Sequence, residues 1–167
     1  MKGILTIVGV VIILMVSLLV GGWVFSGFTM TSSAMEPNFP QGKMVFVSRV
    51  AKNIGRGTVV LAQVPGEETQ VVRRVVGLPG ESVEYRDGAL FINGAKVEEK
   101  YLSVVENAAA KFDVPAPANY GPITVPEGGY FLLGDNRLFA RDSRVFSTVQ
   151  SEAIIGVIIS FGGVLVF

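Results

Sequence analysis

Val83-Glu84-Tyr85-Arg86, Asp87-Gly88, Ala89-Leu90-Phe91-Ile92, Asn93-Gly94, Ala95-Lys96-Val97-Glu98 is the stretch that decides the fold. Short alternating runs are separated by Asp-Gly and Asn-Gly, the dipeptides that most readily take positive φ at both centres of a two-residue hairpin turn. The spacing predicts a three-strand antiparallel meander. Outward from it, residues 44–50, 58–63, 70–76, 130–133 and 153–160 are rich in Val, Ile or Phe and bounded by Gly or Pro, which predicts further strands. No stretch after residue 30 carries a helical stripe of three turns, so this part reads as all-β. Residues 103–126, with Ala108 to Ala110 and four prolines, read as a long surface excursion. The apolar tail 153–167 is short for a membrane span and broken by Gly156, Gly162 and Gly163, so buried strands are expected there.

The front of the chain follows another rule. Residues 4–25 hold 22 positions without a charge, and a helix of that length reaches roughly 33 Å, close to the bilayer's hydrocarbon core of about 30 Å. The apolar stretch is too long for a cleavable signal and lacks a small-residue cleavage site. A single membrane anchor over 1–27 and an outer domain over 28–167 are therefore expected. Lys2 marks the cytoplasmic side, and Trp23 and Phe25 suit the far interface. Without Lys2 the chain holds 13 basic residues against 14 acidic, so the outer domain has no polybasic signal for lipid. Phe28, Met30, Met35 and Phe39 suit either a lipid interface or a β core.

Composition limits the chemistry. The 167 residues include no Cys and no His, and 14 basic residues balance 14 acidic. Thiolate nucleophiles, His bases, Ser-His-Asp triads and the usual zinc sites are excluded. The balanced charge argues against a nucleic-acid partner. Catalysis would have to use Ser, Thr, Lys, Tyr or carboxylates.

Three blocks then stand out in order: Ser32-Ser33-Ala34-Met35-Glu36-Pro37 with Gln41-Gly42-Lys43-Met44-Val45; Arg73-Arg74-Val75-Val76-Gly77-Leu78-Pro79-Gly80; and Gly134-Asp135-Asn136-Arg137 leading to Asp142-Ser143-Arg144. In order and spacing they resemble the bacterial type I signal peptidases, membrane-anchored Ser/Lys endopeptidases that remove signal peptides from exported proteins. The resemblance implies a coiled antiparallel β-sheet or partly open barrel behind one amino-terminal transmembrane helix. It also implies a cleft beside the lipid bilayer and signal peptides or other exported polypeptides as partners, with no cofactor and no metal. Met35, Pro37 and Phe39 would lie near substrate and membrane.

Serine can attack an amide when a lysine, made less basic by burial, takes its proton. Here the chain departs from the pattern it resembles. The nucleophile position holds Ala34, whose methyl cannot attack. The general-base position holds Arg73, which stays protonated at any working pH. Where the family commonly has a serine beside the lysine, this chain has Ala140. A chain without the dyad is expected to be inactive. Ser33 is adjacent to Ala34, but in an extended stretch it would face the other way, whereas Ser32 would share the Ala34 face; the resemblance implies an oxyanion donor at Ser32, and the alternative is a plain solvated serine. Thr31 and Ser143 have no support from spacing. The resemblance further implies that Arg74 pairs with Asp135 and that Asp142 and Arg144 interact near the cleft. Three readings follow: a non-catalytic family member that holds export substrates or assists surface-protein assembly, an active peptidase with engineered substitutions at Ala34 and Arg73, or a structural subunit of a membrane complex.

Overall fold

The computed structural model describes residues 2–50, 53–66, 68–102, 119–161 and 164–165. The described chain opens with helix α1 (Lys2–Val24), whose described large apolar side chains, among them Ile4, Ile7, Ile13 and Met15, are exposed. The side chains of Lys2, Leu5, Leu18, Leu19, Val20 and Trp23 lie outside the described residues. Among the described residues no helix is long and apolar enough to cross a membrane. The expected span, and the placements given to Lys2 and Trp23, are therefore not carried by the fold itself.

Beyond α1 the chain is built from antiparallel strands. They are β1 (Phe25–Thr29), β2 (Met44–Ser48), β3 (Val59–Ala62), β4 (Val71–Gly77), β5 (Ser82–Arg86), β6 (Ala89–Ile92), β7 (Ala95–Lys96), β8 (Tyr120–Thr124), β9 (Gly129–Leu133), β10 (Val149–Gln150), β11 (Ile154–Phe161) and β12 (Val164–Leu165). The larger sheet runs β1-β2-β11-β3-β4-β9-β10 with β12 on β11, and the smaller runs β7-β6-β5-β8. Neither path closes into a barrel.

The meander forms as the turn chemistry requires. Asp87 and Gly88 have φ of 51° and 75°, Asn93 and Gly94 have 51° and 79°, the two left-handed residues in succession that match hairpin twist. The tail enters as the strand β11 between β2 and β3. There Gly156 is obligatory, because a Cβ would lie 2.5 Å from the Ser48 carbonyl oxygen. Of the expected excursion, 103–118 lie outside the described residues, while 120–124 form β8. Pro122 fits because β8 is an edge strand, where a missing N–H breaks no inner ladder.

Three apolar clusters hold the layers together. Val59, Leu61 and Val72 pack with Met30, Met35, Phe39, Val45, Val47 and Ile158 on one side of the large sheet. Val60, Ala62, Val75, Leu132 and Val157 pack on the other. Val76, Phe131 and Leu133 meet Val83, Tyr85, Leu90 and Ile92 of the small sheet. Met30, Met35 and Phe39 are thus core residues at 3%, 0% and 3% exposure, with Phe28 packed against them. Of the two alternatives for this set, the β core holds Met30, Met35 and Phe39, while Pro37 is exposed. The cause is a chain reversal, closed by hydrogen bonds from Met30 N to Lys43 O and from Gly42 N to Met30 O, which tucks the intervening side chains under β2.

Gly77 ends β4 where the two sheets converge. An added Cβ would lie 2.5 Å from Val83 Cγ2 and 2.8 Å from Phe131 Cβ. Gly77→Ala is therefore expected to cost about 1–3 kcal/mol through overpacking, read as a lower urea midpoint.

Candidate active site

The turn that carries Ala34 is short and fixed from both ends. Ser33–Met35 form one 3-10 turn, with Glu36 N donating to Ser33 O at 3.0 Å. The extended geometry expected from sequence does not hold here, so alternation does not sort the faces of Ser32, Ser33 and Ala34. Ala34 is 4% exposed, Ser33 half-buried and Ser32 exposed. Asn136 clamps the turn: its backbone N donates to Ala34 O at 3.0 Å and its Nδ2 to Ser33 O at 3.2 Å. Gly134 lies against the same place, since a Cβ there would sit 2.5 Å from Ala34 O and would meet the Ala140 methyl. The structure therefore brings Ala34, Gly134 and Ala140 together with no side-chain hydroxyl on any of the three.

Arg73 is 4% exposed on β4, paired across the ladder with Val60. Its Nε and Nη2 both donate to the Arg141 carbonyl, at 3.0 and 2.6 Å, and Nη1 donates to Val72 O at 2.6 Å. The guanidinium thus grips the loop that follows Ala140. It remains a cation and cannot accept a proton from a nucleophile. Thr31, Ser32, Gln70, Arg73 and Arg141 line one cleft of roughly 290 Å³.

Arg74, the next residue, faces the opposite way. It binds Asp135 with two prongs, Nε to Oδ1 at 2.9 Å and Nη2 to Oδ2 at 2.6 Å, and donates through Nη1 to Gly57 O at 2.8 Å. The Asp135 side chain is fully buried and also accepts from Asn38 Nδ2 at 2.9 Å. Tyr101 stacks under Arg74 with its ring centre 4.1 Å from the guanidinium carbon.

Asp142 caps the short helix α2 (Ser143–Phe146), accepting from Arg144 N at 3.2 Å. It pairs with Arg144 through two bonds of 2.8 Å and accepts from Gly134 N at 3.0 Å. Ser143 is fully buried, and its hydroxyl accepts from Leu132 N at 2.9 Å. These contacts fasten the 134–144 loop to β9, which sets the position of Ala140 and of the carbonyl that Arg73 holds.

The sequence did not single out Glu99, Tyr101 or Asn38. Glu99 receives Arg137 Nη1 and Nη2 at 2.8 and 2.6 Å, with both side chains 4% exposed, and Tyr101 OH donates to Glu99. Burial favours neutral Arg137, but the hydrogen bonds and charge of Glu99 outweigh it and hold the guanidinium protonated. Burial first, then the Glu99 charge, pushes the Tyr101 phenol well above its ordinary 10.0. The neutral phenol is therefore favoured in the folded chain. Its stabilisation is complete below about pH 10, and is lost as pH rises from there, because the unfolded chain releases that proton first. Tyr101→Phe should flatten the alkaline fall in stability, measured as urea midpoints from pH 8 to 11 against the parent chain.

Among the described residues no cluster of three or more His, Cys, Asp or Glu could hold a metal. What the site retains is a shaped cleft, hydroxyls at Thr31 and Ser32, and fixed positive charge. Residues 3–161 match the family described as signal peptidase, peptidase S26. The chain is 38% identical over 151 residues to signal peptidase I T of Bacillus subtilis (strain 168), covering 88% of this chain and 78% of that protein. It is 35% identical over 138 residues to signal peptidase I of Bacillus licheniformis, covering 81% and 74% respectively. It is also similar to the crystal structure of a signal peptidase I from Enterococcus faecalis, with a TM-score of 0.58 at 36% identity over 64% of this chain and 97% of the other.

Proposed function

Because this chain belongs to the signal peptidase (peptidase S26) family, we propose that it is a non-cutting member, which holds signal peptides or similar export sequences without hydrolysing them. The reading is supported by a buried methyl at Ala34 and a carbonyl-bound guanidinium at Arg73, the positions that the resemblance assigns to a hydroxyl nucleophile and a neutral proton acceptor. Thr31 and Ser143 do not replace the pair. Thr31 lies outside the turn on the exposed side, and Ser143 is sealed against Leu132.

The same reading places α1 in the cell membrane, with the amino terminus cytoplasmic and the β domain outside. Its support is the uncharged run 4–25 and a set of exposed apolar side chains beside it. Phe25 of β1 and Met44 and Phe46 of β2 share one face of the sheet edge that adjoins α1. Such a group is costly in water and favourable against lipid.

The test is binding by the full chain in lipid nanodiscs of a fluorescent peptide carrying an Ala-x-Ala signal sequence. Saturable binding with the peptide recovered intact is expected. Absence of saturable binding, or recovery of a cut peptide, would contradict the proposal.

A further inference from the structure

A short strap, Glu99 and the 3-10 turn Lys100–Leu102, lies between β7 and β8 in sequence and binds three of the elements that shape the site. Lys100 faces solvent, with 82% of its side chain exposed, whereas the Glu99 side chain keeps only 4% and Leu102 is buried. Glu99 holds Arg137 of the 134–144 loop through two bonds, at 2.8 and 2.6 Å. The Tyr101 ring centre lies 4.1 Å from the guanidinium carbon of Arg74 on β4. The Tyr101 carbonyl accepts from Asn38 Nδ2 at 2.9 Å, and the same nitrogen donates its other hydrogen to Asp135 Oδ2 at 2.9 Å.

These contacts converge on Asn136. Of its two neighbours, Asp135 is fixed by Arg74 and Asn38, and Arg137 by Glu99 and by its own Nε bond to Gly134 O at 2.9 Å. Asn136 in turn clamps the Ala34 turn, through Ala34 O and Ser33 O. The turn is thus held by a residue whose neighbours on both sides are tied to the strap. A buried ion pair adds little net stability over apolar packing, yet breaking it leaves a charge that must find water. Without Glu99, Arg137 would turn outward and take the Asn136 clamp with it. We infer that Glu99 and Tyr101 are positioning residues for peptide binding, which act through Asn136 to keep the Ala34 turn in the shape an export sequence binds. The inference rests on the proposed holding of export sequences and adds the residues that keep the site competent. A site that is correctly formed only a tenth of the time binds about tenfold more weakly.

The experiment measures two quantities on the full chain in lipid nanodiscs, at a temperature where every variant is folded: affinity for the fluorescent Ala-x-Ala peptide, and hydrogen exchange at the Asn136 amide, which donates to Ala34 O. Glu99→Ala is expected to weaken binding about tenfold and to speed that exchange by a similar factor, with Tyr101→Ala changing both in the same direction. Glu99→Gln keeps an acceptor for one Arg137 nitrogen and should fall between Glu99→Ala and the parent; should Glu99→Ala not fold, Glu99→Gln carries the same comparison. Gly77→Ala, which strains the junction of the two sheets against Val83 and Phe131, should keep the parent affinity and the parent exchange at Asn136. Parent affinity in the Glu99 and Tyr101 variants, weaker binding with unchanged exchange at Asn136, or an equal loss in Gly77→Ala would each overturn the inference while leaving the holding of export sequences intact. A parent chain that binds no peptide would overturn both.

Discussion

Asp135→Ala is expected to destabilise the folded chain by about 3–5 kcal/mol, the range for removing one partner of a buried ion pair. The Asp135 side chain is fully buried and accepts two bonds from Arg74 and one from Asn38. Without it the Arg74 charge stays in a site with 9% side-chain exposure and loses its counter-ion, while Asn38 loses one acceptor and keeps the Tyr101 carbonyl. The stacked Tyr101 ring offsets little of this, because a cation over a ring is worth only about 0.5–2 kcal/mol. Denaturation of the full chain in detergent measures the loss. Asp135→Asn should cost less than the alanine, because the amide oxygen still accepts from Arg74. Equal losses for the two variants would show that the missing charge, which both share, accounts for the effect and that the retained amide oxygen offsets none of it.

Ala34→Ser alone is expected to leave hydrolysis undetectable. In a serine protease, losing either the nucleophile or its base costs about a million-fold in kcat, and the arginine here can take no proton from the restored hydroxyl. The new side chain would also sit at a position that is 4% exposed. Under the proposed assignment, Ala34→Ser with Arg73→Lys supplies both a nucleophile and a base, but releases the double bond to the Arg141 carbonyl. Product yield from an Ala-x-Ala precursor separates the cases. Cleavage by Ala34→Ser alone would show that some group other than residue 73 serves as base.

Much of the fold can be read locally. The meander declares itself because Asp87-Gly88 and Asn93-Gly94 adopt the positive φ that those residues tolerate. Strands β2, β3, β4, β9 and β11 fall within a residue or two of the Val- and Ile-rich runs, because their hydrophobicity has to be buried in the sheet. β1 is hidden in the sequence, since Phe25 to Thr29 continues the uncharged helix before it with no break in hydropathy. β8 is hidden by Pro122 and the neighbouring Ala/Pro tract. The turn at Ser33–Met35 reads as extended from sequence because three residues carry too little periodicity to distinguish the two.

The site divides in the same way. Side-chain chemistry at 34, 73 and 140 is plain from residue type once the surrounding blocks are recognised. The grip of Arg73 on the Arg141 carbonyl is not, because a backbone acceptor has no residue signature. The Glu99–Arg137 pair, 38 residues apart in sequence, likewise forms only in the folded chain, where the centre of the Tyr85 ring of β5 lies 5.6 Å from the Arg137 guanidinium carbon.

The most direct measurement is intact-mass spectrometry of the unaltered full chain after prolonged incubation in lipid with an Ala-x-Ala precursor. Both masses are expected to stay unchanged, since under the proposed assignment residue 34 offers no oxygen for attack and residue 73 accepts no proton. A shortened precursor, or a protein mass increased by an acyl fragment of it, would contradict that.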